Sequence, residues 1–248
     1  MRHVIGIDGG TESLRARVFD TAGRDLGGAA SAYETVFPAP GRAEQDPREW
    51  WRAIAEAVRG AVRAAGIPAR DAAALCLDTT SATIVVADEA GNTLRPAILW
   101  MDVRADEEAA ILLHTGDGAL RVNGAGAGPV SAEWMIPKAL WLKRHERALY
   151  DRAATLCEYQ DFMVRRLTGR NVASLNNVSI RWHYRNGGGG WPDSLLAAID
   201  SKTCAPNGPP KSSRRVMLSV RSAQPPRITW ASKHRRWWCR AASTRSSA

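Results

Sequence analysis

The sequence lacks any hydrophobic run long enough to cross a membrane, and it has few cysteines. Its longest apolar runs, such as residues 82–87, fall far short of the roughly 20 residues that a membrane helix needs. Residues 1–10 carry an acidic residue and glycines, where a signal peptide would be continuously apolar. The four cysteines show neither metal-ligand spacing nor a pairing pattern, which predicts reduced thiols. We therefore expect a soluble cytoplasmic protein that has no membrane partner.

Acidic residues are missing altogether from residues 201–248. That segment holds eleven of the 34 Lys and Arg residues, whereas residues 1–200 hold the other 23 together with all 25 acidic ones. The net charge of +9 therefore comes from the tail, and the body is nearly neutral. A high positive charge indicates nucleic-acid binding only when it is spread over a folded surface. We interpret residues 1–200 as one domain and 201–248 as an irregular basic tail, and we expect no nucleic-acid partner.

The first 80 residues show the patterns of an α/β domain. Three extended stretches over residues 4–35 predict an antiparallel meander. Asp46 and Pro47 form a helix start, and one apolar face continues from there to Gly66. Residues 72–77 are continuously apolar, as in a buried parallel strand, and they end in polar residues at the sheet edge where ligands bind.

The remaining body continues with a hairpin and helices. Residues 83–87 and 97–101 predict the hairpin, with a turn containing Gly91 between them. Helical patterns with start or stop signals follow. They cover residues 106–114, 137–145, 159–167 and 193–199.

The turn Asp8-Gly9-Gly10-Thr11-Glu12-Ser13 has two interpretations. It could be a tight hairpin turn in which glycine supplies a positive φ. It could also hold phosphates, because Gly9 and Gly10 let backbone N–H groups approach phosphoryl oxygens and Thr11 and Ser13 add hydroxyl donors. In that case Asp8, at a strand end, can hold Mg²⁺ through water.

Eight further stretches of the sequence form one set of motifs. They are IGIDGGTESLR at 5–15, GRAEQDP at 41–47 followed by Trp50 and Trp51, LWMDVRA at 99–105, SAEWMIPK at 131–138, CEYQD at 157–161, RLTGR at 166–170, ASLNN at 173–177 and RWHY at 181–184. Together they resemble the FGGY carbohydrate kinases, including their ribulokinase-like branch. The resemblance covers residues 4–200.

The resemblance implies an incomplete actin-like, ribonuclease-H-like lobe that uses ATP and Mg²⁺ to phosphorylate a sugar or polyol hydroxyl. A pentulose such as ribulose is the expected substrate. Gly9, Gly10, Thr11 and Ser13 would contact the nucleotide phosphates, and Asp8 the metal. The sugar would lie against residues that offer hydroxyl partners and an aromatic wall. These are Thr79, Thr80, Ser81, Trp100, Asp102, Arg104 and Glu133.

Four other charged residues and one histidine are given non-catalytic roles. Lys138, Asp161, Arg166 and Arg181 are interpreted as mainly structural, since a basic helix face is usually solvated. His183 has no partner at ligand spacing, so we expect a packed histidine rather than a metal ligand.

The tail departs from the family pattern. Kinases of this kind run to about twice this length, and residues 201–248 have no helical or strand period. In a shifted reading frame, residues 202–209 are compatible with Asp-Leu-Arg-Ala-Lys-Trp-Pro. Residues 236–248 are compatible with a Gly-Gly-Val-Asp-Ala stretch like the one that carries the family's catalytic base. A nucleotide lost near Asp200 would place that aspartate over Ser243 and Thr244, and the chain as written would lack it.

Three functions remain open from the sequence. The first is a kinase whose chain as written is inactive, and the second is a non-catalytic sugar-binding or interaction remnant. A nucleic-acid-binding protein that acts through its tail is the third and least favoured. The sequence leaves the sugar, the hydroxyl and the oligomeric state undetermined.

Overall fold

The computed structural model describes residues 2–122, 130–185 and 190–203. Its strands are β1 (His3–Gly9), β2 (Ser13–Phe19), β3 (Asp25–Ala32), β4 (Glu44–Gln45), β5 (Ala72–Thr79), β6 (Ile84–Ala87), β7 (Ala97–Ile98) and β8 (Thr155–Glu158). Its helices are α1 (Pro47–Ala64), α2 (Asp106–His114), α3 (Met135–His145), α4 (Arg147–Arg152), α5 (Tyr159–Thr168), α6 (Leu175–Arg181) and α7 (Asp193–Thr203). Short 3₁₀ turns lie at Ala69–Asp71 and Gly118–Val122.

The chain divides into two compact units, and it passes between them more than once. Among the described residues, the first unit contains residues 2–33 and 50–79, and the second contains residues 34–49 and those from Thr80 onward. The boundary at residue 200 and the frame shift placed near it stay predictions. Residue 200 lies within α7, and the tail from residue 204 lies outside the described residues. No helix in the described ranges is long and apolar enough to cross a membrane.

The first unit is a four-stranded sheet with helix α1. Its order is β3-β2-β1-β5, in which β1, β2 and β3 form the predicted antiparallel meander. The alternation in β1 and β2 buries one face of the sheet, including Ile5, Ile7 and Leu14. Helix α1 contributes Trp50 and Ile54 to the core, and the chain turns after the helix at Gly66, where φ is 62°.

Strand β5 is parallel to β1, as predicted, but it is less buried than its composition indicates. Every residue from Ala72 to Thr79 is partly or fully exposed. The reason is its position: within the described residues, β5 pairs with β1 alone and forms the edge of the sheet. A continuous apolar run therefore identified the strand correctly, whereas the expectation of full burial was wrong.

The second unit is built on a smaller antiparallel sheet in the order β4-β7-β6-β8. The predicted hairpin is present, since β6 and β7 pair at Ile84 and Ile98. Its core gathers apolar residues from the sheet and from helices α2, α3, α4, α6 and α7, among them Leu112, Met135 and Leu195. This core supports the polar residues that follow the strand ends.

Candidate functional site

The Gly9-Gly10 turn joins β1 to β2 in the first unit. The Gly10 N–H donates to the Ser13 carbonyl at 3.0 Å, and the Tyr33 hydroxyl donates to the Gly10 carbonyl. Neither Gly9 nor Gly10 has a positive φ, whereas other turn glycines of the chain do. A Cβ placed on Gly10 would meet only ordinary contacts, the nearest being the Ser13 carbonyl oxygen at 3.4 Å. The turn conformation itself therefore does not require glycine at position 10.

Two carboxylates lie side by side at the carboxyl ends of β1 and β5. Asp8 and Asp78 are register partners in the parallel pair, and both are exposed. On the other side of Asp8, Arg15 is its antiparallel partner, and Arg15 Nη1 lies 3.0 Å from Asp8 Oδ2. This places two acidic residues and one basic residue in a row across three strands.

The donor set at this edge suits Mg²⁺. Magnesium takes oxygen ligands, and it is commonly held by one or two carboxylates together with water and substrate phosphates. Asp8 and Asp78 supply such carboxylates beside the Gly9-Gly10 turn. In the described residues no group of three or more metal-ligating side chains occurs, so a metal here would depend on water and phosphate for its remaining ligands.

A cavity of about 220 Å³ lies in the second unit. We call it the Trp100 cavity, after the indole that is 39% exposed at its wall. It combines two hydroxyls, a carboxylate, a guanidinium and two indoles. Its lining residues are Thr80, Ser81, Ala82, Trp100, Glu133, Trp134 and Arg181.

Four residues predicted to bind substrate meet at this cavity: Thr80, Ser81, Trp100 and Glu133. Trp134 and Arg181 were not predicted to line it. Arg181 was interpreted as structural, but it ends helix α6 at the cavity wall. The signal that could have identified Arg181 is its place in the RWHY stretch, which belongs to the family resemblance.

Asp102 and Arg104 lie elsewhere, in a buried ion-pair network. The Asp102 side chain is 0% exposed and that of Arg104 is 2% exposed. Arg104 binds Asp102 through two hydrogen bonds of 2.8 and 2.7 Å, and its Nη2 also lies 2.8 Å from Glu44 Oε1. Asp102 accepts a further hydrogen bond from the Ala43 N–H at 2.7 Å. The two side chains fix the stretch that follows Trp100 and are not among those lining the cavity.

The remaining residues predicted to bind sugar or phosphate lie in the first unit. Thr79 ends β5, and Thr11 and Ser13 belong to the β1–β2 hairpin. The structure thus groups the predicted phosphate-binding residues at one turn and most of the predicted sugar-binding residues at one cavity.

The Trp100 cavity has one residue in an unusual backbone conformation in its wall and a second one packed against its wall. Ala82 lines it with φ at 60°, and among the described residues other than glycine only His183, at 56°, shares this left-handed region. The His183 ring is fully buried and packs edge-on against the indole of Trp134, 5.5 Å between ring centroids. It is packed, as predicted, and burial lowers its pKa. Such conformations are costly for residues with a Cβ, and they concentrate at functional sites.

Comparison with known proteins identifies the family. The FGGY family of carbohydrate kinases, N-terminal domain, matches residues 3–207. A xylulose kinase from Streptomyces coelicolor is 31% identical over 196 residues, which cover 79% of this chain and 40% of that protein. A glycerol kinase from Delftia acidovorans is 31% identical over 207 residues, covering 81% and 41%.

Solved structures agree with this. The crystal structure of a xylulose kinase from Rhodospirillum rubrum matches with a TM-score of 0.71 at 26% identity, over 84% of this chain and 42% of that one. The fold is therefore the α/β, actin-like and ribonuclease-H-like fold of these kinases. The chain belongs to the FGGY family of carbohydrate kinases, and it spans about two fifths of the length of the relatives it matches.

Proposed function

We propose that this chain carries the sugar-binding and phosphate-binding parts of an ATP-dependent kinase that phosphorylates a hydroxyl of a small sugar or polyol. The observation that carries the proposal is the composition of the Trp100 cavity in a chain of this family. Our finer proposal for the substrate is a pentulose such as ribulose, based on the ribulokinase-like stretches of the sequence.

The chemistry of the cavity suits a polyol. The Glu133 carboxylate accepts hydrogen bonds from hydroxyls, the Arg181 guanidinium donates them, and Thr80 and Ser81 do both. The indoles of Trp100 and Trp134 offer apolar faces to C–H groups. A volume of about 220 Å³ is small for a ligand pocket, which favours a single small sugar over an oligosaccharide.

The Gly9-Gly10 turn supports the phosphate-binding part. Because the turn does not need glycine at position 10 for its conformation, close approach of a ligand to the backbone is the better reason for a missing side chain there. Backbone N–H groups at such a turn stabilise negative charge that develops on a transferred phosphoryl group. Mg²⁺ held at Asp8 and Asp78 would neutralise phosphate charge when bound.

The general base is the one catalytic group that we do not assign to a residue of this chain. In this proposal it is the aspartate encoded in the shifted frame over Ser243 and Thr244, positions that lie outside the described residues. Its task is to take the proton of the attacking hydroxyl. The described residues are left to bind the sugar, orient it and stabilise the phosphates.

Binding by the purified chain tests the sugar site. Ribulose, xylulose and glycerol are titrated separately, with tryptophan fluorescence and calorimetry as readouts. We expect Glu133→Gln and Arg181→Met each to weaken binding roughly 10- to 100-fold, because each removes charge-assisted hydrogen bonds to hydroxyls. Trp100→Ala should weaken binding and also reduce the fluorescence change.

A matched control separates the cavity from the general surface. Glu107 in α2 is a carboxylate whose side chain is 79% exposed, and it lies outside the set of cavity-lining residues. Glu107→Gln should leave binding within about twofold of the unchanged protein, since an exposed charge contributes little. If the cavity variants bind all three compounds as the control does, the site is misplaced.

A further inference from the structure

A lysine is completely buried beneath the Trp100 cavity. Lys138 lies in α3 with 0% of its surface exposed. Its ammonium donates to two backbone carbonyls, that of Ala82 at 2.8 Å and that of Leu99 at 2.5 Å. A buried ammonium is costly unless it is hydrogen-bonded and has compensating charge nearby.

The surroundings of Lys138 show both the cost and the compensation. Burial lowers its pKa to about 7, while the negative charges of Asp102 and Glu133 act in the opposite direction. A methionine would fill the same space in the core without this cost. Packing alone therefore does not explain a lysine here, whereas its two hydrogen bonds do.

The two carbonyls belong to two separate segments of the cavity wall. Ala82 lines the cavity itself, and Leu99 directly precedes Trp100. A third segment is attached through the helix, because Glu133 and Trp134 immediately precede α3, which carries Lys138. The Lys138 side chain thus connects three chain segments. Together these segments supply six of the seven lining residues, all except Arg181.

The backbone conformation of Ala82 indicates what the hydrogen bonds from Lys138 do. Its φ of 60° is unfavourable for a residue with a Cβ and persists only where surrounding contacts enforce it. The hydrogen bond from Lys138 Nζ to the Ala82 carbonyl is such a contact, and it acts on the very peptide unit that borders the ligand space.

We propose that Lys138 is a positioning residue for the sugar site: through the Ala82 and Leu99 carbonyls it holds Thr80–Ser81–Ala82, Trp100 and Glu133–Trp134 in the arrangement that binds the polyol. Lys138 itself does not line the cavity and is not a catalytic residue. This inference takes the identity of the ligand from the proposed function. The hydrogen bonds by which Lys138 connects the three segments do not depend on that function.

The experiment compares Lys138→Met with Lys143→Met in the full chain. Lys143 is also buried in α3, at 7% exposure, so the control carries the same substitution on the same helix. Two readouts are taken: affinity for ribulose, xylulose and glycerol, and the NMR methyl signal of Ala82 in protein labelled with ¹³C-alanine. The Ala82 signal, identified by its loss in Ala82→Gly, reports the local φ and ψ.

We expect Lys138→Met to weaken polyol binding roughly 10- to 100-fold, the change in affinity that losing one or two hydrogen bonds to a displaced cavity wall produces. It should also shift the Ala82 methyl signal towards the chemical shift of an alanine with a negative φ. Lys143→Met should do neither. Should Lys138→Met fail to fold, Lys138→Gln, which retains one donor group, replaces it with the same expectations in smaller degree.

A folded Lys138 variant with an unchanged Ala82 signal and unchanged binding would overturn the inference. If the unchanged protein binds none of the three polyols, the proposed function fails. The Ala82 signal alone then decides the inference, because the hydrogen bonds from Lys138 to the Ala82 and Leu99 carbonyls form without a ligand.

Discussion

Ionisable residues lie inside the second unit, close to strand β8. Burial raises the pKa of Glu158 to about 8 and that of Asp161 to about 6, and in both cases the charged form loses its hydration. Asp161 accepts a hydrogen bond from the Ser174 N–H at 2.9 Å, which works against the shift. These shifts connect the protonation of single carboxyl groups to the stability of the fold.

Glu158→Gln should change how stability depends on pH. The unfolded chain ionises this carboxyl above about pH 4.5, whereas the folded chain keeps it protonated up to about pH 8. The unchanged protein therefore loses stability through this group as the pH rises between those values. Relative to the unchanged protein, the variant should become more stable by about 3 kcal/mol as the pH rises from 5 to 7.5.

Urea unfolding of both proteins at the two pH values measures this difference. Other titrating groups are common to both proteins and cancel in the comparison. Glu89→Gln, at an exposed turn, serves as the control and should show no such gain. A stability difference that is the same at both pH values would mean that Glu158 is ionised in the folded protein.

Some site residues were predictable from the sequence, and others were not, for physical reasons. Thr80, Ser81 and Trp100 follow strands, and polar or aromatic residues just after a strand end are frequent ligand contacts. Asp102 and Arg104 also follow a strand, but their charges are satisfied by each other and by Glu44, which is distant in sequence. A pairing between distant residues leaves no local pattern, so only the structure separates a ligand contact from a buried ion pair.

Helix α1 and strand β3 pack at unusually close range, and glycine makes this possible. A Cβ on Gly60 would lie 2.6 Å from the Cβ of Ala29, and one on Gly27 would lie 2.7 Å from the backbone of Ala64. Contacts under 3 Å require the backbone of the helix or the strand to move. Close packing of these two elements therefore depends on missing side chains on both of them.

Gly60→Ala should destabilise the first unit by about 1–3 kcal/mol through overpacking. This outcome opposes helix propensity, since alanine within a helix is favoured over glycine by up to about 1 kcal/mol. Thermal unfolding followed by circular dichroism measures the change. Gly118→Ala is the control, because a Cβ at Gly118 meets nothing within 4 Å. An alanine at position 60 that stabilises the protein would show that α1 can move away from β3 at little cost.

At the element scale, long periodic segments were predictable and short ones were not. The meander and α1 have clear alternation or an apolar face over many residues. Strand β8 and helix α4 span only 4 and 6 residues, too few to show a period. Strand β8 exists because β6 offers it a partner, which is a tertiary cause that no local pattern records.

For the molecule as a whole, the central prediction concerns phosphate transfer. The 248-residue chain should show no sugar-dependent ATP turnover above background, because under the frame-shift proposal it lacks the general base, and losing such a base alone typically costs 10²–10⁴-fold. Restoring one nucleotide near codon 201 together with the downstream gene should give a sugar kinase. A coupled ADP assay with ribulose, xylulose and glycerol measures both proteins.

The two possible failures have different meanings. Turnover by the 248-residue chain would show that its catalytic base lies among the residues present, and the frame-shift proposal would fall. An inactive restored gene product would remove the kinase proposal. If the cavity still binds polyols in that case, the sugar-binding remnant becomes the better description.

The path of the chain between the two units also has a consequence during synthesis. Residues 34–49 belong to the second unit but are made before residues 50–79 of the first. Strand β4 must wait for β7, made roughly fifty residues later, which takes about 3–10 s at ~5–20 residues per second. The described sheet of the first unit can thus close on the ribosome while Glu44 and Gln45 still lack β7 as a partner. A translational pause between codons 79 and 97 would prolong that state and should be visible as cleavage within residues 34–49 of the nascent chain.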